Sequence, residues 1–329
     1  MLIAGDIGGT KTILGIFSKE GGSRKPLREE HYSSNRYEGL EPMIHEFMSG
    51  LDVCLDGAVF GIAGPVRGGA FVEVTNLPWT VTADSLKKYL SIESVLLLND
   101  VQAMAYSIPL LAGDDLRTIE EGDPHASGVT GVVAPGTGLG EAYLTERNDR
   151  YHVHASEGGH ADFAPIDDIQ IQLLQFAGKR FEHVSCERVC SGGGMRLLYE
   201  FLRDIGYAEE PRWFQQEMAE TDDAGALIIR SALGESRPCF LCRATLKLFL
   251  SILGAEAGNF ALKVFALGGI YLGGGIPPLI PDELYRECFL KTFTAKGRFT
   301  GLLRKIPVKV IMNRKAVLMG AAALGLEKL

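Results

Sequence analysis

Two segments of this chain follow one plan, in which an apolar run leads into a glycine-rich turn and a second apolar run leads out of it. They are "LIAGDIGGTKTILGIF" at 2–17 and "GVVAPGTGLGEAYL" at 131–144. A third run, "GGIYLGGGIP" at 268–277, also ends in glycines. A single turn of this kind is typical of a tight β-hairpin. Three of them favour a phosphate-binding fold, because backbone N–H groups in such turns can converge on phosphate oxygens.

Strands alternate with helices through the first third of the chain. After the first hairpin, "LREEHYSS" predicts a third, more exposed strand, and the apolar spacing from Leu40 to Leu51 predicts an amphipathic helix. "GAVFGIAGPV" and "VLLLND" predict buried strands, with a short helix, "SLKKYL", between them. Another helix is predicted from Val101 to about Leu111. This alternation predicts an α/β domain whose central strands are parallel and covered on both faces.

The rest of the chain is predicted to be more helical. The segment 113–128 is rich in Asp, Gly and Glu, which predicts a loop and a domain boundary. "GGIYLGGGIP" and "VKVIMN" predict strands. Helices are predicted near 167–181, 193–205, 222–233, 239–266, 282–295 and 316–326. A length of 329 residues favours two domains, since a single core seldom grows beyond roughly 250–300 residues.

Charge and hydropathy exclude several classes of protein. The net charge is −8 and there is no Lys/Arg tract, which argues against a nucleic-acid partner. No signal peptide is expected, because Asp6 interrupts the first apolar residues and no basic segment precedes them. The most apolar long stretch, 239–272, contains four charged residues, so no membrane span is expected either. These features predict a cytoplasmic protein.

The six cysteines are scattered along the chain, as is typical of reduced thiols in a cytoplasm. Two close pairs occur, Cys186 with Cys190 and Cys239 with Cys242. Neither has the second Cys/His pair that a tetrahedral zinc site requires. Both pairs are predicted to be structural, since small buried thiols are common in helical cores.

The common nucleotide-binding fingerprints are absent, but an ordered set of motifs carries a resemblance. The chain has no G-x-x-x-x-G-K-[ST] sequence and no dinucleotide G-x-G-x-x-G turn. It does carry six motifs in the order in which bacterial glucokinases have them: "GDIGGTKT" (5–12), "LLLNDVQAMA" (96–105), "APGTGLG" (134–140), "SEGGHADFAP" (156–165), "ERVCSGGG" (187–194) and "LGGGI" (272–276). The chain therefore resembles the zinc-free bacterial glucokinases, in the hexokinase branch of the actin-like ATPase superfamily.

This resemblance, which spans nearly the whole chain, implies a fold. It is the α/β, two-domain actin-like ATPase (ribonuclease H-like) sugar kinase fold, with a cleft between a small α/β domain and a larger, more helical α+β domain. Residues 1–111 with 315–329 are predicted to form the small domain and 112–314 the large one. The resemblance also implies a homodimer.

The resemblance further implies an ATP site with Mg²⁺. Asp6 is expected to face the Mg²⁺ through water. The residues predicted to bind ATP are Asp6, Gly8, Gly9, Thr10, Lys11 and Thr12 in a first phosphate loop, Gly136, Thr137 and Gly138 in a second (136–140), and Gly273, Gly274 and Gly275 beside the adenosine.

One buried run ends by placing Asn99 and Asp100 side by side, where polar groups inside a core would cost several kcal/mol. A sugar hydroxyl has a high pKa, so a carboxylate assists phosphoryl transfer by accepting its proton. Asp100 matches the family's catalytic base, and Asn99 offers a donor and an acceptor to a neighbouring hydroxyl. The alternative is that Asp100 only caps the helix that follows.

Other polar residues match the family's sugar ligands. Glu157 and His160 flank two glycines in a turn, and a carboxylate can accept hydrogen bonds from two adjacent hydroxyls. By resemblance, Glu157, His160 and Glu187 hold the ring hydroxyls of a hexose, and Asn76 is a further candidate. The alternatives are a core histidine, a surface acid, and a Glu187 that pairs with Arg188.

Together these features predict an ATP-dependent kinase that phosphorylates glucose at the 6-hydroxyl. The cysteine-rich zinc loop that many repressor/kinase-family sugar kinases carry is replaced here by "VSCERVC", so no zinc is expected. Two alternatives stay open: a kinase of another hexose, such as mannose or an N-acetylhexosamine, and a sugar-binding regulator without catalysis.

Overall fold

A computed structural model describes residues 1–234 and 236–329, which form mixed α/β layers. The strands are β1 Leu2–Ile7, β2 Lys11–Phe17, β3 Arg28–Ser33, β4 Gly57–Ile62, β5 Phe71–Glu73, β6 Thr80–Thr82, β7 Ser94–Asn99, β8 Leu116–Glu120, β9 Thr130–Pro135, β10 Leu139–Arg147, β11 Arg150–Ser156, β12 Gly269–Leu272 and β13 Val308–Ile311.

The helices surround these strands. They are α1 Leu40–Met48, α2 Ala83–Leu90, α3 Asp100–Ser107, α4 Asp168–Gly178, α5 Cys186–Val189, α6 Gly192–Asp204, α7 Arg212–Glu220, α8 Ala224–Leu233, α9 Phe240–Val264, α10 Asp282–Leu284, α11 Leu290–Phe293, α12 Thr300–Leu303 and α13 Ala316–Lys328. None of the described helices combines the length and the apolar character that a bilayer span requires.

The chain forms two compact units. One consists of Met1–Leu116, Leu144–Ala155 and Met312–Leu329, and the other of Arg117–Tyr143 and Ser156–Ile311. The assignment of 1–111 with 315–329 and of 112–314 to functional domains stays a prediction.

The first unit is built on a five-stranded sheet in the order β3-β2-β1-β4-β7. The β1–β2 pair is the antiparallel hairpin that the sequence predicts, while β4 runs parallel to both β1 and β7. Helix α13 packs against α3, β1 and β4. The β1, β4 and β7 runs are apolar because their sheet is covered on both faces. Because these three strands are parallel, their carboxyl ends are aligned at one sheet edge, with Ile7 opposite Ile62 and Ile62 opposite Asn99.

The second sheet has six strands in the order β11-β10-β9-β12-β13-β8. Strand β12 is parallel to both β9 and β13. The 25-residue helix α9 is buried along most of its length and packs against α6, α8 and α11. An all-round apolar helix of this kind belongs in a core, and it also packs against β9 of this sheet.

Several predicted elements differ from the structure. The segment 113–128 was expected to be a loop, but it contains β8. This strand lies at a sheet edge, and of its side chains only Ile119 is buried, so the sequence has no alternation to reveal it. Strands β5, β6 and β11 and helix α7 were not predicted. The helix expected at 282–295 is divided by a π-helical segment, Tyr285–Phe289.

Candidate functional site

The first glycine turn joins β1 to β2 and is closed by a short network. Gly8 N–H donates to the Lys11 carbonyl at 3.1 Å, and Ser34 Oγ donates to the Gly8 carbonyl at 2.7 Å. The Ser34 N–H donates to the Thr10 carbonyl at 2.9 Å. Thr12 is fully buried, and its hydroxyl is 3.0 Å from Ser34 Oγ. Its side chain therefore stabilises the turn from the protein interior. Thr10 and Lys11 are exposed.

Asp6 and Asp100 lie at the same edge of the first sheet. Asp6 precedes the last residue of β1, and Asp100 begins α3 directly after β7. Strand β4 lies between β1 and β7, and Asp6 is opposite Gly61 in β4. The two carboxyl groups are close enough to interact electrostatically. The structure therefore places the predicted base and the predicted Mg²⁺-facing acid beside the same glycine turn.

Burial and, to a smaller extent, the Asp100 carboxylate raise the pKa of Asp6 to about 7, while Lys11 opposes the shift. Two carboxyl groups that repel each other in a partly buried position are a favourable environment for a cation. Carboxylate oxygens are also the ligands that Mg²⁺ prefers. The pair Asp6 and Asp100 therefore fits the Mg²⁺ that accompanies ATP.

Asn99 is the N-cap of α3. Its Oδ1 accepts hydrogen bonds from the N–H groups of Val101, at 2.9 Å, and Gln102, at 3.3 Å. Its Nδ2 donates to the Gly64 carbonyl at 3.1 Å. Asp100 Oδ1 also accepts from the Val101 N–H, at 2.9 Å. The capping role that the sequence left open for Asp100 thus falls mainly to its neighbour, and most of the Asn99 amide is engaged by the backbone.

Asn76 lies against the first glycine turn. It is exposed, and its backbone is left-handed, with φ at 63°. Its Cβ is near Gly9, where the Thr75 carbonyl also approaches. An Asn tolerates this conformation better than most residues do. Its polar side chain is available at the rim of the turn.

The second and third glycine segments meet at one edge of the second sheet. Gly273 N–H donates to the Val133 carbonyl at 3.0 Å, which sets the end of β12 beside the end of β9. In the 136–140 turn, the Gly136 N–H donates to the Gly138 carbonyl at 2.8 Å. Thr137 is exposed at the tip of this turn, and Gly275 is exposed in the other segment.

The amino end of α6 also reaches this turn, which the sequence analysis did not predict. Gly192 N–H donates to the Gly136 carbonyl at 2.8 Å, and Ser191 caps the helix by accepting from Gly194 N–H at 3.1 Å. A helix amino terminus carries partial positive charge that favours a phosphate. The motif "CSGGG" could have indicated this helix start, because a serine suited to an N-cap precedes three glycines there.

Glu157, His160 and Glu187 form one cluster in the second unit. His160 Nε2 is 3.8 Å from Glu157 Oε2, and His160 Nδ1 is 3.9 Å from Glu187 Oε1. Glu157 and His160 are exposed, whereas Glu187 is half-buried. Three polar side chains around one point are suited to several hydroxyls of one ligand.

Glu187 connects this cluster to the second glycine turn. Its Oε2 accepts from the Leu139 N–H at 3.0 Å, and it lies so close to Gly138 that a Cβ there would overlap the carboxylate. A residue with a Cβ at position 138 would therefore displace the Glu187 carboxylate from this turn. The pairing with Arg188 that the sequence left open is replaced by these contacts.

The two close cysteine pairs lie in the interior of the protein. All six are free thiols, and both close pairs are buried. Cys239 is the N-cap of α9, where its Sγ accepts from the Cys242 N–H at 3.4 Å. Hydrogen bonding to Cys242 lowers the pKa of Cys239 to about 7. Across the two described ranges, no group of three or more His, Cys, Asp or Glu side chains is arranged to hold a metal ion.

Comparison with known proteins identifies relatives along the full length of the chain. The family model for glucokinase matches residues 3–328. The chain is 39% identical to the glucokinase of Nostoc punctiforme, with 98% of each chain covered. It is 38% identical to the glucokinase of Synechocystis sp., covering 97% of this chain and 96% of the relative.

Solved structures agree with this result. The crystal structure of a glucokinase from an Antarctic psychrotroph has a TM-score of 0.79 and 29% identity, over 100% of this chain and 99% of that one. A Balamuthia mandrillaris glucokinase in complex with glucose also has a TM-score of 0.79, at 19% identity, over 98% and 92% of the two chains. This second likeness supports the sugar kinase fold alone. The fold class predicted from the sequence is confirmed.

Proposed function

The chain belongs to the glucokinase family, and from this premise we propose that it transfers the γ-phosphoryl group of ATP to the 6-hydroxyl of glucose. The products are glucose 6-phosphate and ADP. The observation that carries the assignment of the reacting groups is the placement of Asp100 and Asp6 at one sheet edge beside the first glycine turn.

Asp100 is the general base in this proposal. As the glucose O6 attacks the γ-phosphorus, its proton passes to the Asp100 carboxylate, and the bond from the γ-phosphorus to the bridging oxygen of ADP breaks. Asn99 caps α3 and holds the first residue of that helix at the sheet edge. Its remaining amide hydrogen is the part of Asn99 that can reach a sugar hydroxyl.

The glycine segments bind ATP. In the first turn, the exposed Thr10 and Lys11 with the backbone of Gly8 and Gly9 contact phosphate oxygens, whereas the buried Thr12 only supports them. Gly136, Thr137 and Gly138 form the second phosphate loop, and Gly273, Gly274 and Gly275 lie beside the adenosine. Asp6 would hold Mg²⁺ through water, and the ion would neutralise charge on the phosphates.

Glu157, His160 and Glu187 bind the ring hydroxyls of glucose, with Asn76 as a further contact. Their clustering within 4 Å of one imidazole supports this assignment. A site made of several fixed acceptors rejects analogues that lack a hydroxyl far more strongly than it rejects bulkier ones. We therefore expect selectivity for a hexose with the gluco arrangement of hydroxyls.

We further propose a cytoplasmic homodimer without nucleic-acid or membrane partners. The free thiols support a location in the reducing cytoplasm. The net charge of −8 disfavours binding to nucleic acid. Size-exclusion chromatography with light scattering measures the oligomeric state directly.

The test is ATP-dependent phosphorylation of glucose, mannose, fructose and N-acetylglucosamine, with Asp100→Asn compared with wild type. We expect turnover largely confined to glucose, and a kcat about 10²–10⁴ lower in Asp100→Asn with glucose binding retained. Asp114→Asn, an exposed acid in the same unit, is the matched control and should match wild type. Sugar binding without turnover in the wild type would favour the regulator, and preferred turnover of another hexose would reassign the substrate.

A further inference from the structure

A buried acid lies in the middle of strand β10. Glu141 is 2% exposed, and neither oxygen of its carboxyl group has a hydrogen-bond partner among the described residues. An ionised carboxylate in such a position loses its hydration and gains nothing in return. The proposed reaction as derived above makes no use of this residue.

A second acid faces the same interior. Glu256, in α9, is 5% exposed, and its Oε1 also has no hydrogen-bond partner there. Its Oε2 accepts from Asn259 Nδ2 at 3.1 Å, and Lys263 Nζ is 3.7 Å from its Oε1. The lysine charge therefore pairs with Glu256, which leaves Glu141 as the acid of the pair that favours the neutral form.

The turn that presents Glu157 and His160 rests on Glu141. A Cβ at Gly158 would overlap Glu141 Oε2, and a Cβ at Gly159 would overlap the carbonyl oxygen of Leu139 in the same strand. Ser156 Oγ accepts from the Gly158 N–H at 3.0 Å and completes the turn. The backbone of 157–160 is thus in direct contact with the buried carboxyl group.

We propose that Glu141 is a positioning residue for glucose, whose protonated carboxyl group supports the 157–160 turn and whose ionisation displaces that turn. The inference rests on the proposed function, in which this turn binds the sugar. An ionised Glu141 carboxylate would need water or a cation next to its oxygens, which have no hydrogen-bond partner among the described residues and lie against Gly158. Because the interior there is packed, the turn would have to move to admit it.

The groups that face Glu141 oppose its ionisation. The Glu256 carboxylate repels a second negative charge, and the Cys186 thiol of α5 interacts electrostatically with both carboxyl groups. Lys263 acts in the opposite sense and lowers the pKa of Glu141, and Lys296 interacts with Glu256. Burial, followed by the Glu256 charge, raises the pKa of Glu141 to about 8.

The kinetic test is the KM for glucose between pH 6 and pH 9.5 at saturating MgATP. In wild type we expect KM to rise at least fivefold between pH 7 and pH 9, with a smaller change in kcat. Glu141→Gln cannot ionise, so its KM should stay flat over this range. Glu146→Gln, which changes an exposed acid of the same strand, should behave as wild type. A wild type with a flat KM, or a Glu141→Gln that keeps the rise, would overturn the proposal.

A ligand-free measurement separates this inference from the proposed function. The ¹³C-labelled glutamate carboxyl signals of the whole protein should include one that titrates near pH 8 and that is missing in Glu141→Gln. If Glu141 instead titrates near its ordinary range, the inference fails even if the kinase assignment stands. Failure of the kinase assignment is detected separately, because the wild type would then bind sugar without turning it over.

Discussion

At the scale of single residues, the proposed Mg²⁺ site beside the first glycine turn depends on the ionisation of Asp6. With a pKa of about 7, this carboxyl group is neutral below pH 7 and negative above it, and only the negative form attracts Mg²⁺. We expect the KM for MgATP to fall several-fold between pH 6 and pH 8. Since the terminal phosphate of ATP also titrates near this range, the decisive comparison is with Asp6→Asn, whose KM should be at least tenfold higher and less dependent on pH. Equal pH profiles for the two proteins would contradict the assignment.

Glu141 is expected to lower the stability of the folded state. Its pKa rises from 4.5 in the unfolded chain to about 8 in the folded one, so between these values the unfolded state binds fewer protons. The free energy of unfolding therefore decreases as pH rises from 4.5 to 8 and levels off above pH 8. Glu141→Gln should remove this slope and be more stable at pH 7 by on the order of 3 kcal/mol. Denaturant titrations at pH 5, 7 and 9 measure it, and an unchanged slope would be the contrary result.

At the scale of elements, the start of α3 depends on its cap. Asn99 satisfies two N–H groups of that helix, so Asn99→Ala should cost about 1 kcal/mol of stability. Because Asp100 is the next residue, we also expect kcat to fall, with partial recovery in Asn99→Asp. Thr82→Ala is the matched control, since Thr82 caps α2 by accepting from the Ser85 N–H at 3.1 Å. It should lose similar stability and keep its kcat. A similar loss of kcat in both variants would show that the effect is general.

The same elements show what the sequence alone could predict. The β1–β2 hairpin and the change from β7 to α3 were predictable, because their apolar runs end in a glycine turn or in a cap residue. Strand β8 was not, since partners in the sheet and not its own side chains make it a strand. The role of Glu141 was equally hidden. Its burial depends on α9 and on the 157–160 turn, which are distant in the sequence.

At the scale of the whole molecule, the two units repeat one arrangement. In the first, β1 has β2 and the parallel strand β4 as neighbours, and a glycine turn joins β1 to β2. In the second, β9 has β10 and the parallel strand β12 as neighbours, and the 136–140 turn joins β9 to β10. The similarity of "LIAGDIGGTKTILGIF" and "GVVAPGTGLGEAYL" therefore reflects a common local structure. Each turn places backbone N–H groups at a strand end of its own unit, an arrangement that suits phosphate oxygens.

A ligand that binds only the folded molecule stabilises all of it, so glucose should raise the thermal stability of the chain. At about 100 times its Kd, the expected gain is roughly 2.7 kcal/mol, which is an upward shift of about 4 °C in Tm for a chain of this size. Differential scanning calorimetry with glucose, mannose and N-acetylglucosamine measures the order of preference without turnover. Asp100→Asn should keep most of the glucose shift, because it removes the proposed base and leaves the Glu157, His160 and Glu187 cluster intact. His160→Ala should lose most of it. A shift that survives in His160→Ala and disappears in Asp100→Asn would mean that the sugar is held by the first unit's acids and not by that cluster.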